Sequence, residues 1–231
     1  MSVLTDRVNL GNFPLHFIAL FDDVHGMNTL DKERQEARAA KQRERSLTLS
    51  LPNLLTYGRI VAVPAVVACF FIDGPLGPWL AFTLFVTASI TDFLDGYLAR
   101  AWAQQSALGR MLDPIADKLL IAGCLISLCA FQVITSWSLW AAVIILFREI
   151  AVSGLREFLA ELQVSVPVSN LAKWKTAVQM TALAVLLIGP ALNEIITQIG
   201  IVLLWAAALI TLVTGYDYFK AGLRHLLEDE A

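Results

Sequence analysis

The stretch DFLDGYLARAWAQQSALGRMLDPIAD, Asp92 to Asp117, decides how the rest of the chain is read. Four aspartates stand there, with apolar sequence before the first pair and after the second. Asp92 and Asp95 are three residues apart, and Asp113 and Asp117 are four apart. Both spacings stack side chains on one face of an α-helix. An aspartate at the centre of a bilayer costs about 2.5–3.5 kcal/mol on insertion scales, so four together call for compensating positive charge. Two divalent cations would cancel four carboxylates. An all-oxygen ligand set suits a hard cation such as Mg²⁺, Mn²⁺ or Ca²⁺ rather than zinc. Two such ions about 3.5–4 Å apart can clamp a phosphoryl group and stabilise its attacking and leaving oxygens. The stretch points to a dimetal site at a membrane edge, and so to an enzyme.

The surrounding sequence supplies the membrane. The chain has 231 residues, 57% of them hydrophobic and 16% charged, against about 25% charged in an average soluble domain. Six apolar stretches, 52–72, 79–101, 111–133, 137–160, 170–189 and 196–218, have the length of about 20 residues that a helix needs to cross roughly 30 Å of hydrocarbon. Breaker residues separate them: Asp73 to Pro78, Thr135-Ser136, and Gly189-Pro190. The expectation is an all-α polytopic membrane protein with six transmembrane helices. A transmembrane domain over 51–226 follows an N-terminal extension over 1–50, cytoplasmic or interfacial in part.

That extension does not read as a signal peptide. Asp6 and Arg7 come early, and the apolar run Phe13–Phe21 is broken by Pro14 and His16. Residues 31–46 carry six basic and four acidic side chains. They read as a solvated helix or as an interfacial helix touching anionic headgroups. Met27, just before them, is an alternative translational start. Cys69, Cys124 and Cys129 match no zinc or redox spacing and read as small buried hydrophobes. His16, His25 and His225 lie far from the acidic stretch, which argues against a histidine-based triad.

The basic residues orient the spans. With the N-terminus in the cytoplasm, all 17 Lys and Arg fall on cytoplasmic segments or on the span ends facing them, and the three outer connectors hold none. Both termini are then cytoplasmic. The acidic pairs lie at the cytoplasmic ends of the second and third spans, facing each other across a turn at Ala101–Leu108. A cation transporter would instead place acids at the bilayer midplane on broken helices.

Gly96 and Gly109 extend the two acidic faces. With Ala99 they leave a notch where a flat ring can meet backbone, and Arg100 ends the first face with a group suited to phosphate. Glycines alone would read as helix–helix packing. With the aspartates they complete the pattern D-x2-D-G-x2-A-R-x8-G-x3-D-x3-D, matched at Asp92, Asp95, Gly96, Ala99, Arg100, Gly109, Asp113 and Asp117. This pattern resembles the signature of the CDP-alcohol phosphatidyltransferase family, and the likeness extends over about residues 51–218.

The resemblance implies a six-helix fold, usually a homodimer in a membrane. It implies one or two divalent ions, Mg²⁺ or Mn²⁺, on Asp92, Asp95, Asp113 and Asp117, with Asp117 as general base. It also implies attack of an alcohol hydroxyl on the lipid-side phosphorus of CDP-diacylglycerol, with CMP leaving. Leu51 to Arg59 resembles the start of the family's first helix, where Asn53, Thr56 and Arg59 would approach the nucleotide or its phosphates, beside Gly96, Ala99, Arg100 and Gly109. Pro52-Asn53 also reads simply as a helix start.

The acceptor must be read from outside the signature. Arg148, Arg156, Lys173 and Lys175 lie in or beside the second cytoplasmic connector. Arg148 reads either as an ion pair with Glu149 or a snorkelling side chain, or as part of a pocket for an acceptor that carries its own phosphate. The strings Phe147 to Phe158 and Ser169 to Met180 resemble those of family members that use sn-glycerol 3-phosphate. Inositol phosphate fits the same basic residues, whereas serine or phosphatidylglycerol explains them less well. The expected setting is a bacterial inner membrane with its active site facing the cytoplasm, lipids as neighbours and no nucleic-acid partner.

Overall fold

The computed structural model describes residues 51–102, 107–162 and 170–228. The extension over 1–50 and the connectors 103–106 and 163–169 lie outside the described residues, and with them the expectations for an interfacial helix and a separate N-terminal segment. The described residues form six helices: α1 Leu51–Cys69, α2 Leu76–Trp102, α3 Ala107–Ala130, α4 Ser138–Glu161, α5 Asn170–Leu192 and α6 Glu194–Glu228. Each falls on one of the six apolar stretches. Three contain segments long and apolar enough to cross a membrane: Ser138–Ala160, Trp174–Leu192 and Glu194–Lys220. Large side chains such as Phe147, Ile150, Trp174 and Val202 stand exposed on them, as expected of helices whose neighbour is lipid rather than water.

The ends depart from expectation for identifiable reasons. Gly189-Pro190 does not break α5, which continues to Leu192 with Pro190 inside it. A proline this near a helix end removes only one backbone donor. The chain then turns at Asn193, whose side-chain oxygen accepts from the Ile196 amide at 2.9 Å and caps α6. The turn between α2 and α3 is shorter than Ala101–Leu108, because α2 runs to Trp102 and α3 begins at Ala107. α3 closes in a Schellman motif. The Val133 amide donates to the Leu128 carbonyl at 2.9 Å, and the Gln132 amide donates to that of Cys129 at 3.2 Å. Gln132 takes the left-handed position with φ 62°, one usually filled by glycine. α6 extends ten residues past the expected 218, because Lys220 and Arg224 can stay helical once the chain leaves the apolar layer. Its 35 residues give about 52 Å at 1.5 Å each.

Leu125 and Leu128 of α3, Ile145 of α4, Leu183 and Leu186 of α5 and Leu204 of α6 form the fully buried centre. α5 and α6 pack most intimately, because Gly200 leaves room for Leu186: a β-carbon there would come within 2.8 Å of it. Among the described residues α1 packs against both α2 and α3, while α2 and α3 make no comparable contact with each other. The two helices that carry the acidic pairs are therefore bridged by α1.

Candidate active site

α1 brings polar groups to the acids. Asn53, Thr56 and Arg59 recur every three residues along its first turns and are all buried, which makes one polar stripe in an apolar helix. The Thr56 hydroxyl donates to Asp113 Oδ1 at 2.5 Å. Arg59 Nη1 lies 2.5 Å from Asp117 Oδ1 and 2.7 Å from Asp92 Oδ1. The order Thr56 then Arg59 on α1 meets the order Asp113 then Asp117 on α3, so the two helices run the same way and their registers advance in step. One guanidinium nitrogen bridges carboxylates from two helices. The sum of its two contact distances caps the Asp92–Asp117 oxygen separation at 5.2 Å.

Arg59 is 2% exposed. A buried guanidinium is tolerated only when paired, and the acids it touches supply that pairing. Sequence reasoning placed Thr56 and Arg59 near the nucleotide. In the fold both contact the aspartates as well, an arrangement that depends on α1 packing against both α2 and α3. Gly109 is buried one turn before Asp113. The side chains of Asp95, Gly96, Ala99, Arg100 and Lys173 lie outside the described residues. Among the described residues no three carboxylates close around one point at metal-ligating distance. The donors gathered here are nonetheless all oxygen: Asp92, Asp113, Asp117 and the Thr56 hydroxyl. Two of those carboxylates are already drawn together by a cation, and such a donor set fits a hard divalent ion.

Asp117 also borders a second feature, a cavity of about 270 Å³. α3 contributes Asp117 and Lys118 to its wall, α4 contributes Arg148, Glu149, Ser153 and Arg156, α5 contributes Lys175 and Gln179, and α6 contributes Tyr218. Four bases face two acids, an excess of two positive charges. Lys175 is paired with Glu149, and Arg148 Nη1 lies 3.6 Å from the same carboxylate. Arg148 Nη2 donates to the Thr214 hydroxyl of α6 at 3.2 Å. Gly215 makes this approach possible, because a β-carbon there would stand 3.0 Å from Arg148 Cγ.

Three of the four basic residues singled out in the sequence thus meet at one cavity, and the ion-pair reading of Arg148 holds alongside. Sequence reasoning did not select Lys118, Glu149, Gln179 or Tyr218. Lys118 and Glu149 adjoin selected residues and could have been found from that adjacency. Tyr218 comes from a helix with no motif of its own and gave no signal.

The residues 49–213 match the family model described as CDP-alcohol phosphatidyltransferase. The chain belongs to that family, a class of transferases of phospholipid synthesis. It is 50% identical over 174 residues to a CDP-diacylglycerol–glycerol-3-phosphate 3-phosphatidyltransferase of Rickettsia bellii, a match covering 74% of this chain and 94% of that one. A protein of the same name from Cereibacter sphaeroides is 37% identical over 218 residues, covering 78% of this chain and 99% of its own. A cardiolipin synthase (CMP-forming) of Oryza sativa is 38% identical over 196 residues, covering 78% of this chain and 59% of its own.

Proposed function

We propose that the chain transfers the phosphatidyl group of CDP-diacylglycerol to sn-glycerol 3-phosphate, giving phosphatidylglycerophosphate and CMP. The observation that carries this reading is the cavity in which Asp117 shares walls with Arg148, Arg156 and Lys175. A group able to take a proton stands there beside bases able to hold a phosphate. The names of the bacterial relatives support the same acceptor.

In this reading Asp92, Asp95, Asp113 and Asp117 hold divalent ions, Mg²⁺ or Mn²⁺ and two in number, in keeping with the family's general use of divalent metals. Bound ions would offset the charge of the diphosphate and of the leaving CMP. Thr56 and Arg59 keep Asp113, Asp117 and Asp92 in place. Arg100, with Asn53 and the small residues Gly96, Ala99 and Gly109, lines the path of the CDP group. Arg148, Arg156, Lys173 and Lys175 bind the acceptor's phosphate and turn its free hydroxyl toward Asp117. Asp117 takes the hydroxyl proton as the oxygen bonds to the lipid-side phosphorus. The phosphorus–oxygen bond to CMP breaks, and CMP carries the electron pair away. The six helices span a bacterial inner membrane, both ends and the site face the cytoplasm, and two copies form a homodimer.

The test supplies labelled CDP-diacylglycerol with glycerol 3-phosphate, inositol phosphate, serine or phosphatidylglycerol in separate reactions. CMP release with glycerol 3-phosphate alone is expected. Turnover with phosphatidylglycerol instead, the acceptor of a cardiolipin synthase, would overturn the acceptor assignment.

A further inference from the structure

Gln179 of α5 lies one helical turn beyond Lys175 and lines the same cavity. It is 1% exposed, and its side-chain oxygen has no hydrogen-bond partner among the described residues. Buried polar atoms are almost always satisfied, and one that is not calls for an explanation. An amide oxygen can only accept. Every ionised base around the cavity is a donor suited to an anion, and Lys175, one turn before Gln179 on the same helix, is already taken by Glu149. Arg148 Nε is also buried without a partner among the described residues. Both residues line the same space of about 270 Å³, and each carries one buried polar atom left unused among the described residues, an acceptor on Gln179 and a donor on Arg148. A small molecule with a hydroxyl and an anionic oxygen satisfies both. A ligand with phosphate but no spare hydroxyl leaves the amide unsatisfied.

We infer that Gln179 is a specificity-determining residue that accepts a hydrogen bond from a hydroxyl of the acceptor that does not react. This assignment rests on the acceptor proposed above. Glycerol 3-phosphate has two hydroxyls. One attacks phosphorus, and the other, on the central carbon, is the partner of Gln179. A site built to bond a hydroxyl discriminates strongly against an analogue without it, because its own buried group is then left unpaired. Gln179 takes no part in the chemical step, so it sets which alcohol is accepted rather than how fast a well-seated one reacts.

The experiment compares glycerol 3-phosphate with 3-hydroxypropyl phosphate, which lacks only the central hydroxyl. It measures kcat/KM for CMP release with each, in the full chain and in Gln179→Met. The unchanged enzyme is expected to prefer glycerol 3-phosphate by tenfold or more. Gln179→Met is expected to lose most of that preference by slowing on glycerol 3-phosphate while keeping its rate on the deoxy acceptor. The ratio is measured within one preparation and does not depend on how much of the variant folds. Gln179→Glu, which keeps an acceptor oxygen at the same reach, is expected to retain the preference. Equal losses on both acceptors, or an unchanged ratio in Gln179→Met, would overturn the role of Gln179 alone. An unchanged enzyme that turns over neither compound would overturn the acceptor reading, and this assignment with it.

Discussion

The acidic cluster and the basic cavity solve the same physical problem with opposite signs. In the first, Asp92 and Asp117 share one buried arginine from α1. In the second, Lys175 and Arg148 share one glutamate from α4. Each region keeps more of its own charge than its counter-ion cancels, so each retains a need for a ligand of the opposite sign. Among the described residues Asp117 alone belongs to both. The difference teaches a division of labour: a surplus of carboxylate suits metal and diphosphate, and a surplus of base suits a phosphate-bearing alcohol. Among the described residues the link between the two is a single side chain.

The sharpest way to break this division is to remove cations from the acidic side. Excess EDTA is expected to abolish CMP release, and added Mg²⁺ or Mn²⁺ to restore it; full activity in chelator would separate the acids from metal. Next comes the shared residue. Asp117→Asn should lower CMP release by about 10²–10⁴-fold, the range of lost general base catalysis, while the purified variant melts close to the unchanged protein. Normal turnover would remove the proton-transfer role.

Two further substitutions act on one side only. Arg148→Ala should raise KM for glycerol 3-phosphate by about tenfold or more, in line with about 1.5–3 kcal/mol for a charged hydrogen bond. KM for CDP-diacylglycerol should change little, and the reverse pattern would move Arg148 to the donor side. The smallest effect is expected from Gly215→Ala. Its new methyl meets the flexible Arg148 side chain at 3.0 Å, so the arginine shifts by a few tenths of an ångström. A rise of about two- to fivefold in the same KM, measured beside Arg148→Ala, would rank the two. Loss of folding would show that α6 cannot yield there.

Much of the helical layout was legible because apolar runs of about 20 residues are a crude, strong signal. Where the layout was misjudged, a local rule lost to context. Pro190 lies too near a helix end to stop it, and Lys220 and Arg224 extend a helix that hydropathy alone would end. The aspartate spacing puts Asp113 and Asp117 on one face of α3, and both meet α1 there. It cannot show what stands between the faces. Arg59 lies 33 residues before Asp92 and 58 before Asp117, and only the packing of α1 between α2 and α3 brings the three together. Gln179 was hidden for a different reason. A buried glutamine is unremarkable in a sequence and informative only when its oxygen is found without a donor.

The paired contacts Thr56–Asp113 and Arg59–Asp117 also fix the pitch of one helix by the chemistry of another. One extra residue between Thr56 and Arg59 would swing the arginine by about 100° around α1 and disengage it, as a skipped tooth unmeshes a gear. Hydrophobic matching would scarcely register the change, since the apolar length of α1 would grow by only about 1.5 Å. Chain length in this part of the protein answers to its neighbours across the bundle rather than to the thickness of the lipid.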